Sequence, residues 1–319
     1  MPISIEKELH LRRVENEEQL KKRQEEVYKK LPQVEKIDQE LRRLNFKRIE
    51  EALNSRDYSA SVSKIKDLKE KKDLVLKAHG YDPSYLELKY HCDICKDRGV
   101  VNNKACICRK KLLAEKLYDQ SSIKNRIMKE NFSTFNPRLF RKSIQEGEDI
   151  SPYANIIGIR DDLKNLLQKK GKKLPNMYFF GKVGTGKTFM INCIAKELMD
   201  QGVPVLYQSS NDMLNFLNSY QFMYPEEKRD NKAKVDLIYD IDVLIIDDLG
   251  TEMVTEVTKS NLFEVINKRI ISEKTTIISS NIMIYDLGQV YDSRISSRIS
   301  GEYTPIEFYG NDVRFHGYE

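Results

Sequence analysis

The octapeptide GKVGTGKT, Gly181 to Thr188, constrains this chain more than any other feature. It satisfies G-x-x-x-x-G-K-[ST] at every fixed position. An apolar run, MYFF (177–180), precedes it and FMINCIAKEL follows, so the segment reads as strand, tight loop and helix. Glycines at 181, 184 and 186 allow backbone angles that a side chain forbids, and successive N–H groups can then face an anion. The helix that follows adds its positive N-terminal end. The cradle spans Gly181, Lys182, Val183, Gly184, Thr185, Gly186, Lys187, Thr188 and Phe189. In it Lys187 is expected to reach the β- and γ-phosphates of ATP, or the β-phosphate of ADP, and the Thr188 hydroxyl to ligate Mg²⁺.

The surrounding pattern agrees. From about Tyr153 short apolar strands alternate with amphipathic helices. The strands are MYFF (177–180), VPVLYQ (203–208), VLIID (243–247), TTIISS (275–280) and PIEFY (305–309), with helices near 188–200, 211–220, 256–272 and 286–299. Such alternation implies a parallel sheet between two helical layers, an α/β fold.

Three further elements carry chemistry. VLIIDDLG (243–250) is a buried strand ending in two carboxylates. Asp247 would stand where Mg²⁺ sits, and Asp248 would orient the attacking water. Paired Asp after a strand also serves as a cap or turn. An Asp base is one carbon shorter than Glu, so slow turnover is expected. TTIISSN ends in Asn281, whose amide would bond the water or the γ-phosphate, or would merely close a turn. In YDSRISSRISG, Arg294 and Arg298 are four apart and share a helix face. Either they form a finger that reaches a neighbouring subunit's phosphate, or they make internal salt bridges.

The N-terminal third has another texture. Residues 1–90 are Gly-poor and rich in Lys, Glu, Leu and Gln, with apolar residues at helical spacing. Pro32 interrupts the pattern, SRDYSAS (55–61) reads as a loop, and a further helix runs from Val62 to His79. This is a helical module for docking, or a hairpin that packs on itself. Residues 91–108 hold four of the five cysteines. Cys92-x-x-Cys95 and Cys106-x-Cys108 supply two close thiolate pairs, which suit tetrahedral Zn²⁺ in a closed, structural site. An Fe–S cluster or a redox pair is the alternative, and His91 a substitute ligand. Cys193 reads as a buried small residue. Residues 109–152 form a basic helix and linker, and 153–319 the nucleotide domain. From Lys104 to Lys142 there are eleven Lys/Arg against three Asp/Glu, within a net charge of +5 for 319 residues. That excess points to an anionic partner or to a solvated connector.

GKVGTGKT, IIDDLG, ISSN and the SRISSRI helix together resemble AAA+ ATPases of the bacterial replicative helicase loader group, the DnaC/DnaI type. The same core is similar to the IstB group of transposition helper ATPases. The likeness covers roughly 130–319. It implies that Lys187 and Thr188 bind phosphate and Mg²⁺, that Asp247 binds Mg²⁺, that Asp248 activates water and that Asn281 is a sensor. It names Arg298 as the finger, with Arg294 beside it. With about ten residues after the last strand, a full helical lid is not expected. The resemblance also implies an N-terminal zinc domain that binds the hexameric replicative helicase, side-by-side self-assembly with ATP, and contact with single-stranded DNA. For the last, Tyr207, Phe216, Tyr220, Lys228 and Arg229 offer aromatic and basic character, equally ordinary as helix surface and core. An IstB-like helper would instead bind duplex DNA. A third reading is an adaptor that binds ATP and scarcely hydrolyses it.

Neither an apolar run of roughly 18 residues nor a secretory signal is visible, so no membrane partner and a cytoplasmic location are expected.

Overall fold

The computed structural model describes residues 5–119, 123–146, 148–169 and 173–314. The chain divides into two units, Ser4–Cys106 and Ile107–Glu319.

The first unit contains α1 (Ile5–Lys30), α2 (Pro32–Leu53) and α3 (Ser59–Ala78). Pro32 sits in the first turn of α2, where its missing N–H costs nothing, so it divides two helices at Leu31. Val27, Leu31, Val34, Leu76 and Leu86 form one apolar cluster; Ile37, Leu41, Leu44 and Ile65 form another. Asp38 ties the three helices together, accepting from the Tyr28 hydroxyl (2.7 Å) and Lys72 Nζ (2.6 Å). Burial and the Asp38 charge push the Tyr28 phenol up to about 12. α3 starts three residues before the expected Val62. The Asp57 carboxylate accepts from both the N–H and the hydroxyl of Ser59 (2.9 Å each) and so organises the first turn. Short strands β1 (Val100–Val101) and β2 (Lys104–Ala105) pair across Asn102 and Asn103. Both asparagines have positive φ, as a two-residue hairpin turn requires.

The second unit opens with α4 (Ile107–Asp119), α5 (Ile123–Lys129) and α6 (Pro152–Gln168). Then follow β3 (Asn176–Gly181), α7 (Lys187–Asp200), β4 (Val205–Ser209), α8 (Ser210–Phe222), α9 (Pro225–Asp240) and β5 (Val243–Leu249). The remainder is α10 (Glu256–Ile271), β6 (Thr275–Ser280), α11 (Leu287–Val290), α12 (Ser293–Glu302) and β7 (Tyr303–Phe308). The five strands are parallel in the order β4-β5-β6-β3-β7. The central strands are buried along nearly their whole length, which is why they read as continuous apolar runs. This is a parallel α/β sheet with the phosphate-loop motif directly after β3. Its functional consequence lies in the strand order. β6 sits between β5 and β3, so the loops after all three emerge together at the sheet's C-terminal edge.

Some details differ from expectation, α6 (Pro152–Gln168) being a helix outside the expected set. α9 is a full helix without an apolar stripe; in PEEKRDNKAKVDLIYD only Leu237 and Ile238 are buried. The single helix expected over 286–299 is two, because the Asp292 side chain caps a new start at Ile295 N (2.8 Å).

Arg269 fastens the far end of the sheet. Fully buried, it donates to the carbonyls of Ile238 (2.9 Å), Tyr239 (3.3 Å), Ile241 (3.0 Å) and Thr275 (2.6 Å), and to Thr276 Oγ1 (2.9 Å). A cation at the C-terminal end of α9 also meets the negative end of the helix dipole. Burial lowers this guanidinium to about 10.

Candidate functional site

Gly181 ends β3 at φ +137°, and a Cβ there would lie 2.3 Å from the Phe308 carbonyl oxygen of β7. Only glycine lets the chain leave the sheet at that point. The loop then turns into α7, and Lys187, in its first turn, is 5 % exposed. All three of its protons are used. Nζ donates to Gly181 O (2.8 Å), Lys182 O (2.7 Å) and Asn281 Oδ1 (2.8 Å). Loss of water around the ammonium lowers it to about 8, against the opposing pull of Asp248 and Asp247.

The two carboxylates diverge because the register between β5 and β6 shifts between Ile246 and Leu249, a bulge that re-aims successive side chains. Asp247 is buried and accepts three hydroxyls: Thr188 Oγ1 (3.1 Å), Tyr207 OH (2.6 Å) and Ser279 Oγ (2.5 Å). Thr188 and Asp247 thus present adjacent oxygens, the donor type Mg²⁺ prefers. Asp248 is exposed at φ +58°, a conformation that costs a non-glycine residue about 1 kcal/mol or more. Its N–H bonds Ser279 Oγ (2.9 Å) and its carbonyl accepts from Ser210 and Thr251 (2.9 Å each), which hold the backbone there. Its carboxyl stands in the cavity; partial desolvation and the Asp247 charge raise it above the usual carboxylate range.

These groups surround a cavity of about 410 Å³, lined among others by Gly184, Gly186, Lys187, Thr188, Phe189, Asp248 and Asn281. The structure brings Lys187, Thr188, Asp248 and Asn281 to one cavity, with Asp247 bonded to Thr188 beside it. Asn281 differs in detail: its side-chain oxygen is turned to Lys187. Neither Arg294 nor Arg298 lines this cavity. Arg294 pairs with Asp292 (3.0 Å) and lies over the Phe263 ring; Arg298 is exposed on the same helix.

Several cavity residues carried no motif. Arg126 and Glu130 reach it from the basic stretch, bonded to each other at 3.1 Å, and Glu130 also accepts from Asn192 of α7 (2.5 Å). Val313 and Arg314 reach it from beyond β7. Part of the basic excess is accordingly matched within the unit: Lys110 to Asp240 (2.6 Å) and Arg141 to Glu148 (2.6 Å). The linker aromatics also pack inward, with Phe135 against both Phe140 and Phe189. Tyr207, grouped above with residues for single-stranded DNA, is buried with its hydroxyl on Asp247 and offers no surface for a base. Phe216 and Tyr220 lie half-buried under Lys234 and Lys228. Cys193 is fully buried, as expected of a small core residue, and burial raises its thiol to about 12.

The four cysteines of the 92–108 stretch form a second site. Their sulfurs all lie within 4.8 Å of one another, and Cys92 and Cys106 are 3.8 Å apart. A tetrahedral ion with metal–sulfur bonds of about 2.3 Å needs sulfurs about 3.8 Å apart, so the set has the right size for zinc. Lys96 and Asp97 adopt positive φ, turning the chain so that Gly99 N–H meets Cys95 Sγ (3.2 Å). Asp97, fully buried, accepts from Cys92 N (2.9 Å), His91 N (3.0 Å) and Asn16 Nδ2 (2.7 Å), which braces the knuckle against α1. His91 is outside the donor group; its ring faces Asp97 at 3.8 Å.

Residues 169–299 match the family described as IstB-like ATP binding protein. Over 136 residues the chain is 32 % identical to the replicative helicase loader DnaI of Bacillus subtilis, covering 42 % of this chain and 41 % of that protein. It is 27 % identical over 154 residues to the chromosomal replication initiator protein DnaA of Aquifex aeolicus, covering 48 % of this chain and 37 % of that one. The match thus spans about two fifths of the length of each of these relatives. Among solved structures, the DnaC helicase loader aligns with a TM-score of 0.47 at 16 % identity, over 58 % of this chain and 99 % of that one. Residues 169–299 of the nucleotide unit are thus similar to an ATP-binding family. No helix among the described residues is long and apolar enough to cross a membrane.

Proposed function

We propose that this chain is a cytoplasmic ATPase that loads a replicative DNA helicase onto single-stranded DNA when replication begins. The observation that carries the reading is the presence, in one chain, of a P-loop cavity backed by a buried Asp247, a helical N-terminal stretch, and four clustered cysteines between residues 92 and 108. The similarity to a replicative helicase loader over 136 residues supports it.

In this reading Lys187 releases Gly181 O, Lys182 O and Asn281 Oδ1 and turns its protons to the β- and γ-phosphates. Thr188 and Asp247 hold Mg²⁺, which would offset phosphate charge. Asp248, whose raised proton affinity suits a base, orients the attacking water. Asn281, freed from Lys187, is left to bond the γ-phosphate or the water. Because Asn281 follows β6, and Ser280 bonds Leu249 O (2.7 Å) at the end of β5, loss of the γ-phosphate alters contacts at both strand ends. Arg298, with Arg294 beside it, stands clear of its own cavity and would serve a neighbour's, which requires side-by-side assembly with ATP. The cysteines hold Zn²⁺, and the N-terminal unit meets the hexameric helicase.

The family match favours a second reading, an IstB-like helper that binds duplex DNA. Native mass spectrometry separates the two. The loader reading expects a discrete complex of the full chain with its host's replicative helicase in ATP and Mg²⁺, weakened by Lys187→Ala. Failure to bind under ATP, ADP and no nucleotide, with binding to duplex DNA, would replace it by the helper.

A further inference from the structure

The segment beyond β7 returns to the phosphate loop. Val313 N–H donates to Gly184 O (3.0 Å), a bond that anchors this segment directly on the loop between Gly181 and Lys187. Asp312 lies over the α-carbon of Gly184: a Cβ there would stand 2.1 Å from the Asp312 carboxyl carbon. Gly184 is not a fixed position of the phosphate-loop pattern, and its φ is +76°. The positive φ favours glycine by itself, and the Asp312 contact ties this position to the returning segment. The Asp312 carboxylate in turn accepts from Arg314 N (3.0 Å) and Arg314 Nε (2.8 Å), and it bonds Arg314 Nη2 as well. The guanidinium is thereby oriented by two nitrogens, while 64 % of the arginine side chain stays open. Arg314 lines the same cavity as Lys187, Thr188, Asp248 and Asn281. Its charge is felt at both Lys187 and Asp248.

The geometry points to Arg314 as a nucleotide-binding residue that contacts the terminal phosphate in its own chain, positioned by Asp312 against Gly184. The inference rests on the ATP-site reading and deepens it. Lys187 marks the β–γ end of the nucleotide, Asp248 the water beyond it, and an arginine among them faces charge that ATP carries and ADP lacks. A guanidinium suits the task because its planar fork keeps one edge on the Asp312 carboxylate while the other N–H donors remain available. The Asp312 charge is matched by Arg314, so it does not oppose the phosphates as a bare carboxylate would.

The test is calorimetric titration of the full chain with ATPγS·Mg and with ADP·Mg, for the wild type, Arg314→Ala, Arg314→Lys and Asp312→Ala. Loss of one charge-assisted contact predicts about 10- to 100-fold weaker ATPγS binding in Arg314→Ala, with ADP changed less than about threefold. Arg314→Lys recovers part of the ATPγS affinity, and Asp312→Ala weakens it less than Arg314→Ala does. Equal weakening of both nucleotides would mark a merely structural effect and overturn the assignment. Tighter ATPγS binding in either Ala variant would also overturn it, by showing that the segment obstructs the site. A wild type that binds neither nucleotide would defeat the underlying ATP-site reading, and with it this one.

Discussion

Lys187 makes ATP affinity depend on pH in a direction that its surroundings fix. Burial lowers the ammonium to about 8, and only the protonated form attracts phosphate. With that value the protonated fraction falls from about nine tenths at pH 7 to about one tenth at pH 9, so affinity for ATP·Mg should drop about tenfold across that interval. Bound phosphates stabilise the ammonium, so above pH 8 binding must take up a proton. Calorimetry in two buffers of different ionisation enthalpy measures that uptake directly. Folding stability moves the other way. Between about pH 8 and the ordinary lysine range the unfolded chain holds a proton that the folded one lacks, so unliganded stability rises with pH there. A dissociation constant flat from pH 7 to 9, with no proton uptake, would refute the coupling of this burial to binding.

Arg269→Met keeps the volume and leaves four carbonyls without their donor, so urea unfolding should register a loss of about 3–5 kcal/mol; a loss under 1 kcal/mol would contradict the fastening role. If the four clustered cysteines hold zinc, the full chain should purify with one equivalent, and Co²⁺ in its place should give a tetrahedral thiolate spectrum that Cys106→Ser abolishes. An octahedral cobalt spectrum would contradict this. If Arg298 serves a neighbour's site, mixing Arg298→Ala with Lys187→Ala should restore part of the ATPase activity that each lacks, because some interfaces then pair an intact cavity with an intact arginine. No recovery in mixtures that co-assemble would count against it.

The parts of the fold that were legible are those encoded locally. MYFF, VLIID and TTIISS are apolar runs because their strands are buried on both faces, and GKVGTGKT needs its glycines for the turn it makes. α9 was missed because it buries little and shows no apolar period. The break before α12 was missed because Asp292 caps a helix inside a pattern that otherwise continues. At the site, Tyr207 and Ser279 bond Asp247 only because β4 and β6 flank β5, an adjacency that spacing along the chain does not carry. Arg126 and Arg314 come from either end of the unit and meet at one cavity for the same reason. One signal was available: VLYQSS places a Tyr alone in an apolar strand, and a buried hydroxyl needs a partner.

The most direct test is single-turnover phosphate release by the wild type and Asp248→Asn, with ATP binding measured in parallel. The geometry predicts that the wild type binds and slowly hydrolyses ATP, whereas the variant, with Lys187, Thr188 and Asp247 untouched, binds ATP comparably and releases phosphate at least about 100-fold more slowly. Unchanged release in Asp248→Asn, or no ATP binding by the wild type, would contradict it.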